Sequence, residues 1–364
     1  MSTNRLCIPS LHYFYHMYIN KNFPIRRVLK FAGGHIVWLT AWALLATIFM
    51  EFLHFLNFDG FQVPWLPVSV IGTAVAFYVG FKNNSAYDRL WEARKIWGAI
   101  VNDSRKWSTT VISFSTSHFA QENSSKIAIK AYHKKLIYRH IAWLYSLRSQ
   151  LLIPTPWEHI NQSRFIQKQT EARFAAWGVG LFADEITQIE LNQYLAPEEI
   201  EQLINAKNTA TQIIHAQSTT LKEMREKEIL DDFRHMELQN ILNEFYTHQG
   251  KAERIKKFPL PRQYGNGSQI FVGIFIFLLP FAMVTEFHEL SDYGAWFSIP
   301  FTVIIGWVFV FWELIGDYSE NPFEGLGNDI PMLSLCRTIE IDLKEMLGET
   351  DLPPAIEAKD GVLM

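Results

Sequence analysis

Residues able to do chemistry are scattered along this chain rather than gathered. His288-Glu289 starts like the helical zinc-protease pair, but no histidine follows three residues after Glu289. His35 and His54 fall in one apolar segment with no matching pair elsewhere at metal-ligand spacing. No glycine-rich loop ends in Lys-Ser or Lys-Thr, and no serine occupies a Gly-x-Ser-x-Gly elbow. The two cysteines, Cys7 and Cys336, are too far apart for a zinc knuckle and too few for a disulfide framework, so they read as reduced thiols. Asp231 and Asp232 precede Phe233 and Arg234 as the surface of a helix would. No catalytic constellation, cofactor site or metal site is predicted, and the chain does not read as an enzyme.

The suggestive spacing is apolar. Gly72, Ala76 and Gly80 recur every fourth residue and form a small-residue stripe along which another helix can approach closely. One residue further on, Thr73, Phe77 and Phe81 form a second stripe covering ~12 Å of helix axis. Core packing explains such a stripe in most helices. Facing a common axis in several copies, it would instead stack rings into a dry constriction that gates by dewetting. Phe ring edges carry partial positive charge, which suits a dehydrated anion.

These stripes belong to an element that changes character midway. From Gly72 to Gly98 an apolar helical pattern stops at Lys82-Asn83-Asn84 and a charged, aromatic-rich one continues, as for a helix leaving a membrane. Four segments come close to the ~20 apolar residues a span needs: about 31–55, 63–81, 270–287 and 296–316. Glu51, His54, Glu286 and Glu313 lie near span ends, where a charge can reach the interface. The loops 57–62 and 288–295 carry no Lys or Arg. Arg26, Arg27, Lys30, Lys82, Arg89, Arg94, Lys95, Lys256, Lys257 and Arg262 flank the other ends. The positive-inside rule therefore predicts cytosolic termini and a cytosolic middle, in a multi-pass membrane protein. No cleavable signal peptide is read in the first 30 residues, which include Arg5 and Lys21.

The middle, about 83–266, shows helical period throughout, with no convincing strand. Ala196-Pro197-Glu198-Glu199 reads as the start of a helix running through Ile204 and Ile213 into Leu221, and Leu238, Ile241, Leu242 and Phe245 mark another. Breaks are predicted at Pro154-Thr155-Pro156, Gly178 to Gly180 and Pro259-Leu260-Pro261. The fold class is an all-α integral membrane protein with four spans and a helical cytosolic half (about 83–266 and 317–350), taken as a single composite domain over 1–364. Net charge of −4 argues against nucleic acid, and 15% aromatic content suits interfacial belts.

Three ordered blocks resemble the bestrophin family, in particular its bacterial members. They are Gly80-Phe81-Lys82-Asn83-Asn84-Ser85-Ala86-Tyr87-Asp88-Arg89 with Trp91 to Gly98; Leu279-Pro280-Phe281-Ala282-Met283-Val284, preceded by Glu253-Arg254-Ile255 and Pro259-Leu260-Pro261; and Glu320-Asn321-Pro322-Phe323 with Asn328-Asp329-Ile330-Pro331 and Cys336-Arg337-Thr338-Ile339-Glu340. The resemblance implies a homopentamer in the lipid bilayer around one pore. It implies a neck at Thr73, Phe77 and Phe81, and a cytosolic aperture at Phe233 with Arg234 beside it. Thr73 departs from the family's bulky aliphatic at the outer ring. The family's calcium clasp has a dense acidic run after the Asn-Pro-Phe; here only Glu324 and Asp329 remain, so no calcium site is expected. That block reads as a structural turn, with Phe323 packed and Asp329 capping the helix after Pro331. The implied function is a passive ion channel for small monovalent ions, with chloride favoured. Glu92, Asp231 and Asp232 suit a cation-friendly vestibule; Lys82, Arg94 and Arg234 suit an anion-friendly one. A cation channel on the same scaffold and a membrane-anchored interaction protein remain as rivals.

Overall fold

Gly33 divides the first predicted span. Helix α1 (Ile25–Ala32) and helix α2 (Gly34–Phe55) meet there, at a bend where an added Cβ would lie 2.2 Å from the Leu29 carbonyl oxygen. The computed structural model describes residues 17–18, 24–58, 60–116, 126–161, 191–291, 293–326, 329–358 and 362–363. The expectations for Arg5, Cys7, Lys21, the break at Gly178 to Gly180 and Asn328 lie outside those residues.

Beyond α2, helix α3 (Trp65–Phe114) runs unbroken for 50 residues, about 75 Å at 1.5 Å per residue. Helices α4 (Lys126–Leu152), α5 (Pro197–Ile204), α6 (Thr209–Glu226) and α7 (Asp232–Lys257) follow, then α8 (Arg262–His288), α9 (Gly294–Asp317) and α10 (Met332–Met346). The predicted helix through 196–221 is in fact two. Asn208 stops it by capping α6, its Oδ1 accepting from Thr211 N at 3.0 Å. A two-residue pairing of Met17–Tyr18 (β1) with Val362–Leu363 (β2) joins the two ends of the described chain.

Four helices, α2, the first part of α3, α8 and α9, are long and apolar enough to cross a membrane. They share a cluster built from Leu39, Val68, Val75, Val79, Phe275 and Leu279. Gly72 lets α8 in: a Cβ there would meet the Phe275 ring at 2.7 Å. The second cluster takes the rest of α3, through Trp97, Ile100 and Trp107, against α4, α6, α7 and α10. There Trp107, Trp143 and Phe245 are all fully buried, and the Trp143 and Phe245 rings pack 5.1 Å apart.

Polar residues join the two clusters. Lys82 is buried against Glu313 at 2.5 Å, and Ser268 Oγ donates to the same carboxylate at 2.7 Å. Asn83 donates to the Trp312 carbonyl at 2.9 Å. Arg89 donates to the carbonyls of Glu320 and Phe258 at 2.8 and 2.7 Å. The Lys82–Arg89 stretch thus latches α3 to the end of α9 and to the α7–α8 corner.

Candidate functional site

Helix geometry decides what α3 shows to its surroundings. Val68, Gly72, Val75 and Val79 face the bundle, which leaves Thr73, Phe77 and Phe81 together on the opposite face. Phe77 is 67% and Phe81 71% exposed. The Thr73 hydroxyl donates to the Ser69 carbonyl at 3.0 Å, so its proton is taken up within its own helix.

Phe233 is placed elsewhere. It stands 86% exposed in the first turn of α7, beside the far end of α3. Phe81 and Phe114 are 33 positions apart on one helix, which sets Phe81 and the start of α7 about 50 Å apart along α3. The Asp231 side chain caps α7, its Oδ1 accepting from Phe233 N at 2.9 Å and Arg234 N at 3.1 Å. Arg234 folds back, with Nε 3.2 Å from Asp231 Oδ2 and a guanidinium N–H donating to the Phe114 carbonyl at 3.1 Å. Asp232 pairs with Arg225 at 2.5 Å. Opposite charges are therefore matched around Phe233.

Two charges assigned from sequence, Lys82 to a vestibule and Glu313 to an interface, are instead buried together. Lys82 is 1% exposed, so it lines no aqueous surface of the chain, and its partner Glu313 is held by that pair instead of reaching the interface. Glu92 is paired with Lys95 at 2.6 Å on the surface.

Asp329 does not cap the helix after Pro331, since α10 begins with no side-chain cap. Its Oδ1 accepts from Phe323 N at 2.9 Å and Ile330 N at 2.7 Å, and its Oδ2 from Gly325 N at 2.8 Å. These bonds hold a turn in which Phe323 and Gly325 take φ of 71° and 74° and Phe323 is fully buried. Burial pushes the Asp329 carboxyl up to about 6, against the pull of those three N–H groups.

Sequence reasoning missed His159, an isolated histidine beyond a proline-rich break. The fold buries it between Glu324, 2.8 Å from Nδ1, and Asp317, 3.0 Å from Nε2. Burial alone would lower its pKa; the two carboxylates outweigh burial and raise it to about 10. Lys256 packs alongside, 2.5 Å from Glu158 and donating to the Phe323 carbonyl at 3.1 Å. His159 is thus an internal cation tying the 154–161 segment to the end of α9.

The bacterial/fungal bestrophin family matches residues 26–345, most of the chain. The chain belongs to this family. Among bestrophin-like relatives, the voltage-dependent anion channel-forming protein YneE of Escherichia coli K12 is 25% identical over 338 residues, covering 91% of this chain and 94% of that protein. A voltage-dependent anion channel-forming protein of Mesorhizobium japonicum is 27% identical over 289 residues, covering 79% of this chain and 76% of that one. The crystal structure of a bacterial bestrophin homolog from Klebsiella pneumoniae superposes with a TM-score of 0.68 at 23% identity, covering 88% of this chain and 98% of that one. The bestrophin fold and membrane residence of this chain rest on those matches together with its four apolar helices.

Proposed function

We propose that this bestrophin is a passive channel for small monovalent anions, chloride foremost, assembled from five copies as one composite unit per chain. It sits in the inner membrane with both termini in the cytosol. Thr73, Phe77 and Phe81 form the neck, Phe233 the cytosolic aperture, and Arg234 steadies the helix start that carries Phe233. One observation carries the reading: α3 holds two large aromatic side chains bare on one face while packing its other face into the bundle. Lipid would accept that face, but so would a dry ring of copies around an axis.

The sign of the ion rests on the anion channel-forming relatives and on Phe ring edges, which favour anions. It does not rest on the aperture, where Arg234 and Arg225 are matched by Asp231 and Asp232. Bilayer recording of purified protein under a tenfold KCl gradient tests the proposal. A reversal potential at the chloride equilibrium potential is expected, with a larger current for Phe77→Ala. Reversal at the potassium potential replaces this reading by a cation channel. No current in either protein replaces it by a membrane anchor for a partner.

A further inference from the structure

The first and third spans end side by side, at the pole remote from the helical body. There α2 presents Glu51 and His54 on one side, three residues apart. Helix α8, 234 residues later in sequence, ends on His288. The His54 and His288 rings lie 4.7 Å apart between centroids and 70° from parallel. His288 Nε2 is 3.6 Å from Glu51 Oε1. That is too long for a hydrogen bond, and among the described residues this carboxylate oxygen is buried without a hydrogen-bond partner.

The ring pair alone is ordinary edge-to-face packing, but together with the nearby carboxylate the spacings also lie close to those of a coordination polyhedron. A tetrahedral ion with bonds of about 2.0–2.1 Å holds neighbouring donor atoms about 3.3 Å apart, and two imidazole ring centres roughly 5 Å apart. Among the described residues no three such groups already converge on an ion-sized point. Small side-chain rotations have to close this set: the His288 and Glu51 side chains are 36% and 30% exposed, and His54 lies at the surface.

We propose that Glu51, His54 and His288 form a site for one borderline transition-metal dication, of which Zn2+ is the type, bridging the first and third spans. Two imidazoles and one carboxylate select Zn2+ over Mg2+ and Ca2+, which want all-oxygen shells, and leave a fourth position for water. The ion pins the ends of α2 and α8 together, outside the neck and independent of which ion the channel passes.

Calorimetric titration of the purified full-length protein with ZnCl2 tests this, with MgCl2 in parallel. The expected result is a saturable site of one Zn2+ per chain with no Mg2+ counterpart. His54→Gln and His288→Gln should each weaken it at least roughly tenfold, and the double variant should abolish it. Zn2+ should also raise the unfolding temperature of the wild type and not of the double variant. Should a histidine variant fail to fold, Glu51→Gln, which keeps the side-chain shape, carries the same expectation of weakened binding. No zinc binding in the wild type, or undiminished binding in the double variant, overturns the proposal.

Discussion

Phe77 and Trp107 stand on the same uninterrupted helix, the first 67% exposed and the second fully buried. In the part of α3 beyond its apolar span water is the alternative, so apolar side chains are driven inward and Trp97, Ile100 and Trp107 find complete cover within one chain. In the membrane part no such drive exists between helices, because lipid tails are as apolar as side chains. Packing there follows shape, as where Gly72 admits the Phe275 ring, and polar pairing, as between Lys82 and Glu313. The same helix is a core element at one end and an open surface at the other.

The largest effect tests the seam between the two parts. Lys82→Met leaves Glu313 buried and unpaired and should destabilise the chain by about 3–5 kcal/mol, measured by denaturant unfolding in detergent. Lys82→Met with Glu313→Leu should recover most of that loss, and failure to recover would mean that the pair's geometry, rather than its charge, holds the seam.

Trp107→Ala should cost about 3–5 kcal/mol through the cavity it opens. Asp329→Ala follows, at on the order of 3 kcal/mol, because three backbone N–H groups lose their acceptor; Asp329→Asn should be milder, since it keeps one oxygen.

His159 gives a pH signature. Its pKa is raised from 6.5 to about 10 in the fold, so its contribution is complete below about 6.5 and is lost as pH rises through about 10. The unfolding temperature of the wild type should therefore fall between pH 7 and 10. In His159→Gln that slope should flatten.

The smallest stability effect closes the comparison. Phe77→Ala should change chain stability by less than ~0.5 kcal/mol while altering current. A loss equal to that of Trp107→Ala would show that the Phe77 face is buried in the assembled protein by contacts that hold it together, and would break the contrast between the two ends of α3.

Legibility from sequence followed the range of the interaction. Span lengths and the abrupt change at Lys82 depend on local composition, and the ends of the first, third and fourth spans fall within a residue of the helix ends at Phe55, His288 and Asp317, whereas α8 starts at Arg262, eight residues before its predicted span. The stripe Thr73, Phe77, Phe81 was legible because helical spacing alone puts those residues on one face. The break at 205–208 was lost because a continuous apolar period ran across it, and Asn208 acts as a cap only once the chain turns there. An acid beside a helix start commonly caps it, which is what the sequence alone predicts of Asp329. Its carboxylate instead turned back onto Phe323 and Gly325, a choice set by two positive-φ residues that sequence does not display.

By itself the sequence determined that this chain has segments fit to span a membrane, that it is helical, and that one helix carries Thr73, Phe77 and Phe81 on a single face. These follow from residue type and period, which act within a few turns. That Phe77 and Phe81 stand bare was decided by the tertiary structure. The tertiary structure decided which distant groups meet: Lys82 with Glu313, His159 with Asp317 and Glu324, His54 with His288. Each of those encounters joins residues more than 150 positions apart in the sequence. Only the packing of long helices can set such distances, because no local propensity carries information across that separation.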